Sequence, residues 1–195
     1  MDRVGIVGSG TMGIEIAQAA AEHGFKVIIY DLTDEIVLSA IRRLQQRLHK
    51  KVEQGRYKAE NMNLVMLSIH PVTSLIELNE CDIVIEAVPE SLTLKQQIFE
   101  GLEKVCKTSA VLATNTSSLS ITAIAGKMKS ANRVVGCHFF NPASIMKLVE
   151  VIPGMMTDDV TVKAITDFVT SLHKEPVEAK DTPGFIVNRV ARSFY

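Results

Sequence analysis

Apolar residues recur along the chain in two alternating rhythms. Short, nearly unbroken apolar runs at Val4–Val7, Lys26–Tyr30, Cys81–Val88, Val111–Thr114, Val134–Cys137 and Lys147–Ile152 read as strands buried in a sheet. Between them, apolar positions spaced for one helical face predict helices. These positions are Ile14, Ala17 and Ala21; Val37, Ala40, Ile41, Leu44, Leu48 and Val52 within Asp34–Glu53; Leu94, Ile98, Leu102 and Val105; and Val162, Ile165, Val169 and Leu172. Gly24 and Gly55 stop the first two helices, and Ala59–Leu67 is a shorter helical segment. Ile69–Thr73 is a strand that Pro71 confines to a sheet edge or a strand start. Glu175–Ala179 gives a last strand and Asp181-Thr182-Pro183-Gly184 a turn, and a further helix starts in FIVNRVARSFY from Phe185. Strands alternating with helices over this length predict an α/β fold: a doubly wound, mostly parallel sheet with helices on both faces.

The first of these junctions carries the most specific signal. Gly8, Gly10 and Gly13 fall in G-x-G-x-x-G spacing where the first strand turns into the first helix, with Ser9, Thr11 and Met12 between them. Three glycines there serve a tight turn, close backbone approach to a pyrophosphate and close helix–strand packing. The free N–H groups and positive dipole end of the helix face the phosphates. Asp31 ends the second strand 18 residues beyond Gly13. A carboxylate there accepts both ribose hydroxyls of an adenosine and repels a 2′-phosphate, which favours NAD over NADP. This junction is that of a Rossmann dinucleotide-binding unit.

Composition narrows the class. The 195 residues are 47% hydrophobic and 22% charged, as in a globular protein. A net charge of −1 gives no broad electrostatic case for nucleic acid or a membrane surface. No apolar run approaches the roughly 20 residues of a membrane helix. Met1-Asp2-Arg3 leads directly into the first strand, so no signal peptide and a cytoplasmic setting are expected. Cys81, Cys106 and Cys137 are scattered, with no metal-ligand spacing, and are expected reduced in packed interior.

Polar residues at strand ends supply the candidate chemistry. Glu86 interrupts an apolar strand, and Pro89 and Glu90 follow at its carboxyl end, where ligands bind in doubly wound sheets. Asn115-Thr116-Ser117-Ser118 follows the next strand and fits either turn chemistry or the cofactor crevice. His138 ends a further strand and fits either a structural histidine or a base above the nicotinamide. Glu150 falls among Leu148, Val149, Val151 and Ile152, so it needs a partner, and His138 is the natural one. Asn188 is polar among Ile186, Val187 and Val190. The face formed by Arg42, Arg43, Arg47, Lys50 and Lys51 fits a solvated helix side or a patch for a substrate carrying several phosphates.

The stretches GSGTMG, NTSSLSIT from Asn115, HFFNPASIMKLVEVI from His138 and DTPGFIVNR from Asp181 occur in one order along the chain. With them the chain resembles the L-3-hydroxyacyl-CoA dehydrogenase family, including 3-hydroxybutyryl-CoA dehydrogenases, over essentially its whole length. The resemblance implies NAD-dependent interconversion of (S)-3-hydroxyacyl-CoA and 3-ketoacyl-CoA in fatty-acid or butanoate-type metabolism. It implies His138 as base, Glu150 as its orienting partner, and Ser117, Asn141 and Asn188 as polar groups near the substrate. It implies Glu90, Lys95, Asn115, Ser117 and Asn141 as cofactor contacts beside the Gly8–Gly13 turn and Asp31. Rival readings are a dehydrogenase of a free hydroxy or sugar acid and a non-catalytic NAD-binding fragment.

Two departures from the family pattern stand out. Glu15 follows Ile14 where the family has a small residue, which is expected to alter helix packing. Family members continue into an all-helical C-terminal domain that closes over substrate and commonly forms a homodimer. On this pattern residues 1–183 are the NAD-binding domain and 184–195 the start of that second domain, the rest of which is absent. Phe185, Ile186 and Val190 are then expected to expose an apolar face.

Overall fold

A computed structural model describes residues 1–191; the last four residues of the helix predicted from Phe185 lie outside the described residues. Eight strands form one sheet in the order β3-β2-β1-β4-β5-β6-β7-β8. They are β1 (Arg3–Val7), β2 (Lys26–Tyr30), β3 (Ile69–Val72), β4 (Ile83–Glu86), β5 (Val111–Thr114), β6 (Val134–Phe139), β7 (Leu148–Pro153) and β8 (Glu175–Glu178). The helices are α1 (Thr11–Glu22), α2 (Asp34–Glu53), α3 (Ala59–Ser68), α4 (Leu92–Val105), α5 (Ile121–Ala125), α6 (Asp159–Ser171) and α7 (Val187–Ala191). None among the described residues is long and apolar enough to cross a membrane.

The first six strands run parallel, and the chain steps outward from β1 to β3, then crosses back to β4 on the other side of β1. The carboxyl ends of β1 and β4 therefore splay apart at a switch point, where a crevice opens. One apolar layer packs α1, α2, α3 and α6 on one face of the sheet, and a second packs α4 and α5 on the other. Pro71 sits in β3, the edge strand, whose only neighbour is β2. Cys81, Cys106 and Cys137 are free and buried, and burial pushes the Cys81 thiol up to about 12 and that of Cys106 up to about 11.

β7 breaks the parallel pattern. It pairs antiparallel with β6 through a short loop, and the register sets His138 opposite Glu150. His138 lies within β6 rather than just beyond it, because pairing with β7 carries the strand on to Phe139. The short helix α5 was not anticipated. It has too few apolar positions for a period; Ser120 caps it locally, accepting from Ala123 N at 3.2 Å, and its first two donors are satisfied from far along the chain. Ile121 N and Thr122 N donate to the Asp181 carboxylate at 2.8 and 2.9 Å, and Thr122 Oγ1 donates at 2.6 Å.

Two expectations require correction. Phe185 is not exposed: it is only 2% accessible, in the cluster with Ala179, and its ring centroid lies 5.9 Å from that of His138. Left-handed backbone at Gly184 (φ 77°) and Phe185 (φ 47°) turns the ring inward, while Ile186 and Val190 stay exposed. Arg47 does not belong to a solvated basic face either. It bends back onto α1, where Nη1 pairs with Glu15 and Nη2 donates to Gln18 Oε1 at 2.7 Å.

The amino end of β1 is fastened by Asp82, which accepts from Asp2 N at 2.7 Å, Arg3 N at 3.2 Å and Lys107 Nζ at 2.6 Å. Burial opposes ionisation, but these donors outweigh it and hold the carboxyl down at about 2. A depressed acid contributes stability that is complete above its ordinary value of 3.8 and disappears as pH falls through about 2. Asp82→Asn is expected to flatten the fall of melting temperature with pH over that window, and an unchanged slope would remove Asp82 from acid unfolding.

Candidate functional site

The glycine turn is shaped by contacts that leave no room for side chains. Gly8 has φ 98°, and a Cβ there would meet the Ala87 carbonyl at 2.9 Å. A Cβ on Gly13 would lie 1.8 Å from the Gly8 carbonyl oxygen, so α1 starts directly against the turn. Gly10, by contrast, faces open space and occupies the N-cap of α1 without a side-chain cap. The first-turn N–H groups of α1 are thus left for an anionic ligand.

Asp31 closes the other side. Its Oδ2 accepts from Ser9 N and Ser9 Oγ at 2.7 and 2.6 Å, and Oδ1 accepts from Leu32 N at 2.8 Å. These bonds hold the turn to the end of β2 and leave Oδ1 a further lone pair for a hydroxyl. A cavity of about 590 Å³ runs from Gly8–Met12 past Asp31 to Ala87, Val88 and Ile98. Glycine cradle, uncapped helix start and carboxylate together fit the pyrophosphate and adenosine ribose of a dinucleotide.

A second cavity, of about 440 Å³, shares Met12, Ala87 and Val88 with the first. Glu90, Asn115, Ser117, His138, Asn141 and Asn188 all line it, so six residues singled out in the sequence converge there. His138 Nδ1 and Glu150 Oε2 are 2.7 Å apart, both residues being buried. The other carboxylate oxygen accepts from Ile186 N and Val187 N, each at 2.9 Å. With Nδ1 engaged, Nε2 is the ring nitrogen left for a ligand. Asn115 Oδ1 accepts from Phe139 N at 2.8 Å, and Asn188 Nδ2 donates to the Ser117 carbonyl at 3.1 Å.

Glu90 is held by donors from one loop. Its Oε1 accepts from Thr116 Oγ1 at 2.6 Å, Ser117 N at 3.0 Å and Ser118 N at 3.2 Å. Burial works against its ionisation, but the Thr116 bond and the Lys95 ammonium outweigh it and keep the carboxyl below the usual range. Lys95 itself lies beneath the cavity rather than in its wall. It is 1% exposed, with Nζ 2.7 Å from Glu86 Oε1 and 3.4 Å from Glu90 Oε2.

Glu86, which pattern reading left without a role, is the hub of this floor. It accepts from Lys95 Nζ, from Val88 N at 2.7 Å and, through Oε2, from Thr114 Oγ1 at 2.7 Å. The ends of β4 and β5 and the start of α4 are thereby pinned to one carboxylate. The signal for it was present, since a charge inside an apolar strand demands a partner. Among the described residues no group of three or more His, Cys, Asp or Glu could hold a metal ion.

A doubly wound sheet with this glycine turn and acid-ended second strand defines an NAD-binding domain. Residues 3–182 match the family model described as "3-hydroxyacyl-CoA dehydrogenase, NAD binding domain", and the chain belongs to that family. It is 46% identical to the 3-hydroxyadipyl-CoA dehydrogenase of Escherichia coli (strain K12), matching 98% of this chain and 40% of that protein. It is 38% identical to the 3-hydroxybutyryl-CoA dehydrogenase of Clostridioides difficile, over 96% of this chain and 67% of that one. The crystal structure of an Escherichia coli K12 3-hydroxybutyryl-CoA dehydrogenase superposes with a TM-score of 0.96 at 45% identity, covering all of this chain and 41% of that one. The chain thus spans 40% to 67% of the length of these relatives.

Lys95→Met removes the cation from a fully buried carboxylate and is expected to cost about 3–5 kcal/mol in denaturant unfolding. Adding Glu86→Gln should return most of that loss. Independent, additive costs in the double variant would show that the two residues do not act as a pair.

Proposed function

We propose that this chain is the cofactor-binding part of an NAD-dependent dehydrogenase that interconverts (S)-3-hydroxyacyl-CoA and 3-ketoacyl-CoA. The observation that carries the reading is the buried His138–Glu150 pair, whose histidine lines a cavity that shares Met12, Ala87 and Val88 with the glycine-turn cavity. The names of the relatives support an acyl-CoA substrate. Residues 1–183 form the NAD-binding unit, and residues 184–195 open a helical unit through which the whole enzyme pairs as a homodimer in the cytoplasm. The left-handed turn at Gly184 and Phe185, next to the end of the family match, supports a boundary there.

Bound NAD supplies the acceptor for the hydride that leaves C3 of the substrate. His138 Nε2 takes the proton of the C3 hydroxyl as the C–O bond becomes a carbonyl, and returns it in the reverse direction. Glu150 holds the Nδ1–H tautomer and stabilises the imidazolium formed, while two backbone donors keep that carboxylate in place. Ser117 and Asn141 orient the reacting oxygen and the nicotinamide end, and Asn188 fixes Ser117 through its carbonyl. Glu90 organises the Ser117 loop, and Lys95 acts on the cofactor edge through Glu90.

In the enzyme carrying its complete chain, His138→Ala should leave the NAD dissociation constant unchanged and lower kcat by about 10²–10⁴-fold. Assaying a 3-hydroxyacyl-CoA beside its free hydroxy acid tests the substrate. Equal turnover on the free acid would remove CoA from the reading, and near-normal turnover by the variant would remove His138 from the chemistry.

A further inference from the structure

One buried charge takes no part in the chemistry above. Glu15 lies on the first turns of α1 at 5% exposure and lines neither cavity. One of its oxygens pairs with Arg47 of α2, whose other nitrogen reaches Gln18 of α1. Its second oxygen accepts from Ser144 Oγ at 2.7 Å and Ser144 N at 3.3 Å. Ser144 belongs to the β6–β7 loop, three residues after Asn141 and in the connection between His138 and Glu150. The same loop is tied again two residues on, where Lys174 Nζ donates to the Met146 carbonyl at 2.7 Å. At its start, the Phe140 ring rests 4.5 Å from the His138 ring.

A carboxylate out of water needs strong donors, and this one draws them from two separate elements, α2 and the β6–β7 loop. A neutral small side chain at this position of α1 would not reach Ser144. The cavity-lining loop would then lose its charge-assisted anchor to α1. From this geometry we infer that Glu15 is a positioning residue. It fastens the Asn141 loop to the same helix whose N-terminus faces the pyrophosphate, so one rigid element sets both ends of the bound dinucleotide. This rests on the NAD reading given above.

The test compares two ligands on the chain as it stands: NADH, and ADP-ribose, which lacks the nicotinamide. Ser144→Ala keeps the Glu15–Arg47 pair and removes one anchoring bond from the loop. It should raise the Kd for NADH about five- to tenfold, the size of one lost hydrogen bond, while the Kd for ADP-ribose stays within about twofold. Emission of saturating bound NADH should move toward that of free NADH. Glu15→Ala should do the same more strongly, and Ser144→Thr, which keeps the hydroxyl, should restore the unmodified ratio. Should Glu15→Ala fail to fold, the two Ser144 variants decide alone. An equal loss for both ligands, or an unchanged ratio and emission in Ser144→Ala, overturns the inference. An unmodified chain that binds neither ligand brings down the cofactor reading itself, and this inference with it.

Discussion

A charge withdrawn from water must find its counter-charge or its donors inside the protein, and this fold places such charges around its crevice. Glu86 with Lys95 sits at the ends of β4 and β5, and Glu150 with His138 spans β6 and β7. Glu15 with Arg47 bridges α1 and α2. Each pair joins two elements: β4 to α4, β6 to β7, and α1 to α2. The low-dielectric surroundings that make these charges costly to bury also make their pairing directional.

The division of labour along the sheet follows from strand direction. Six parallel strands bring their carboxyl ends to one edge and so define where a dinucleotide lies. A parallel neighbour at β7 would reach β6 only by way of a crossover connection. The antiparallel return through a short loop sets Glu150 directly opposite His138 and keeps the loop over the cavity. The pairing of His138 with Glu150 thus depends on the strand reversal that follows the parallel part of the sheet.

Much of this was legible in the residues. The glycine turn, Asp31 and the strand-helix alternation are short-range patterns, and a contiguous segment dictates each of them. The partnership of His138 and Glu150 was legible because a carboxylate inside an apolar strand admits few explanations. What could not be read depends on residues distant in sequence. Beside the local Ser120 cap of helix α5, the first two amides of that helix are held by Asp181 from about 60 positions away. Phe185 turns inward because of left-handed backbone that no apolar pattern encodes. Arg47 resembled its exposed basic neighbours until Glu15, 32 positions earlier, was placed beneath it. Lys95 entered as a cofactor contact through the family resemblance alone, and its ammonium pairs with two carboxylates, Glu86 and Glu90, that the apolar pattern does not link to it.

The amides of Ile186 and Val187 grip the far oxygen of Glu150, and they belong to the segment by which the chain leaves the sheet. That exit strap is thus wired to the acid without passing through any strand. A shift of the strap by a fraction of an ångström would lengthen two hydrogen bonds and move the carboxylate on which the imidazole rests. The seating of the His138 ring is in this sense a gauge of how the segment after Gly184 lies.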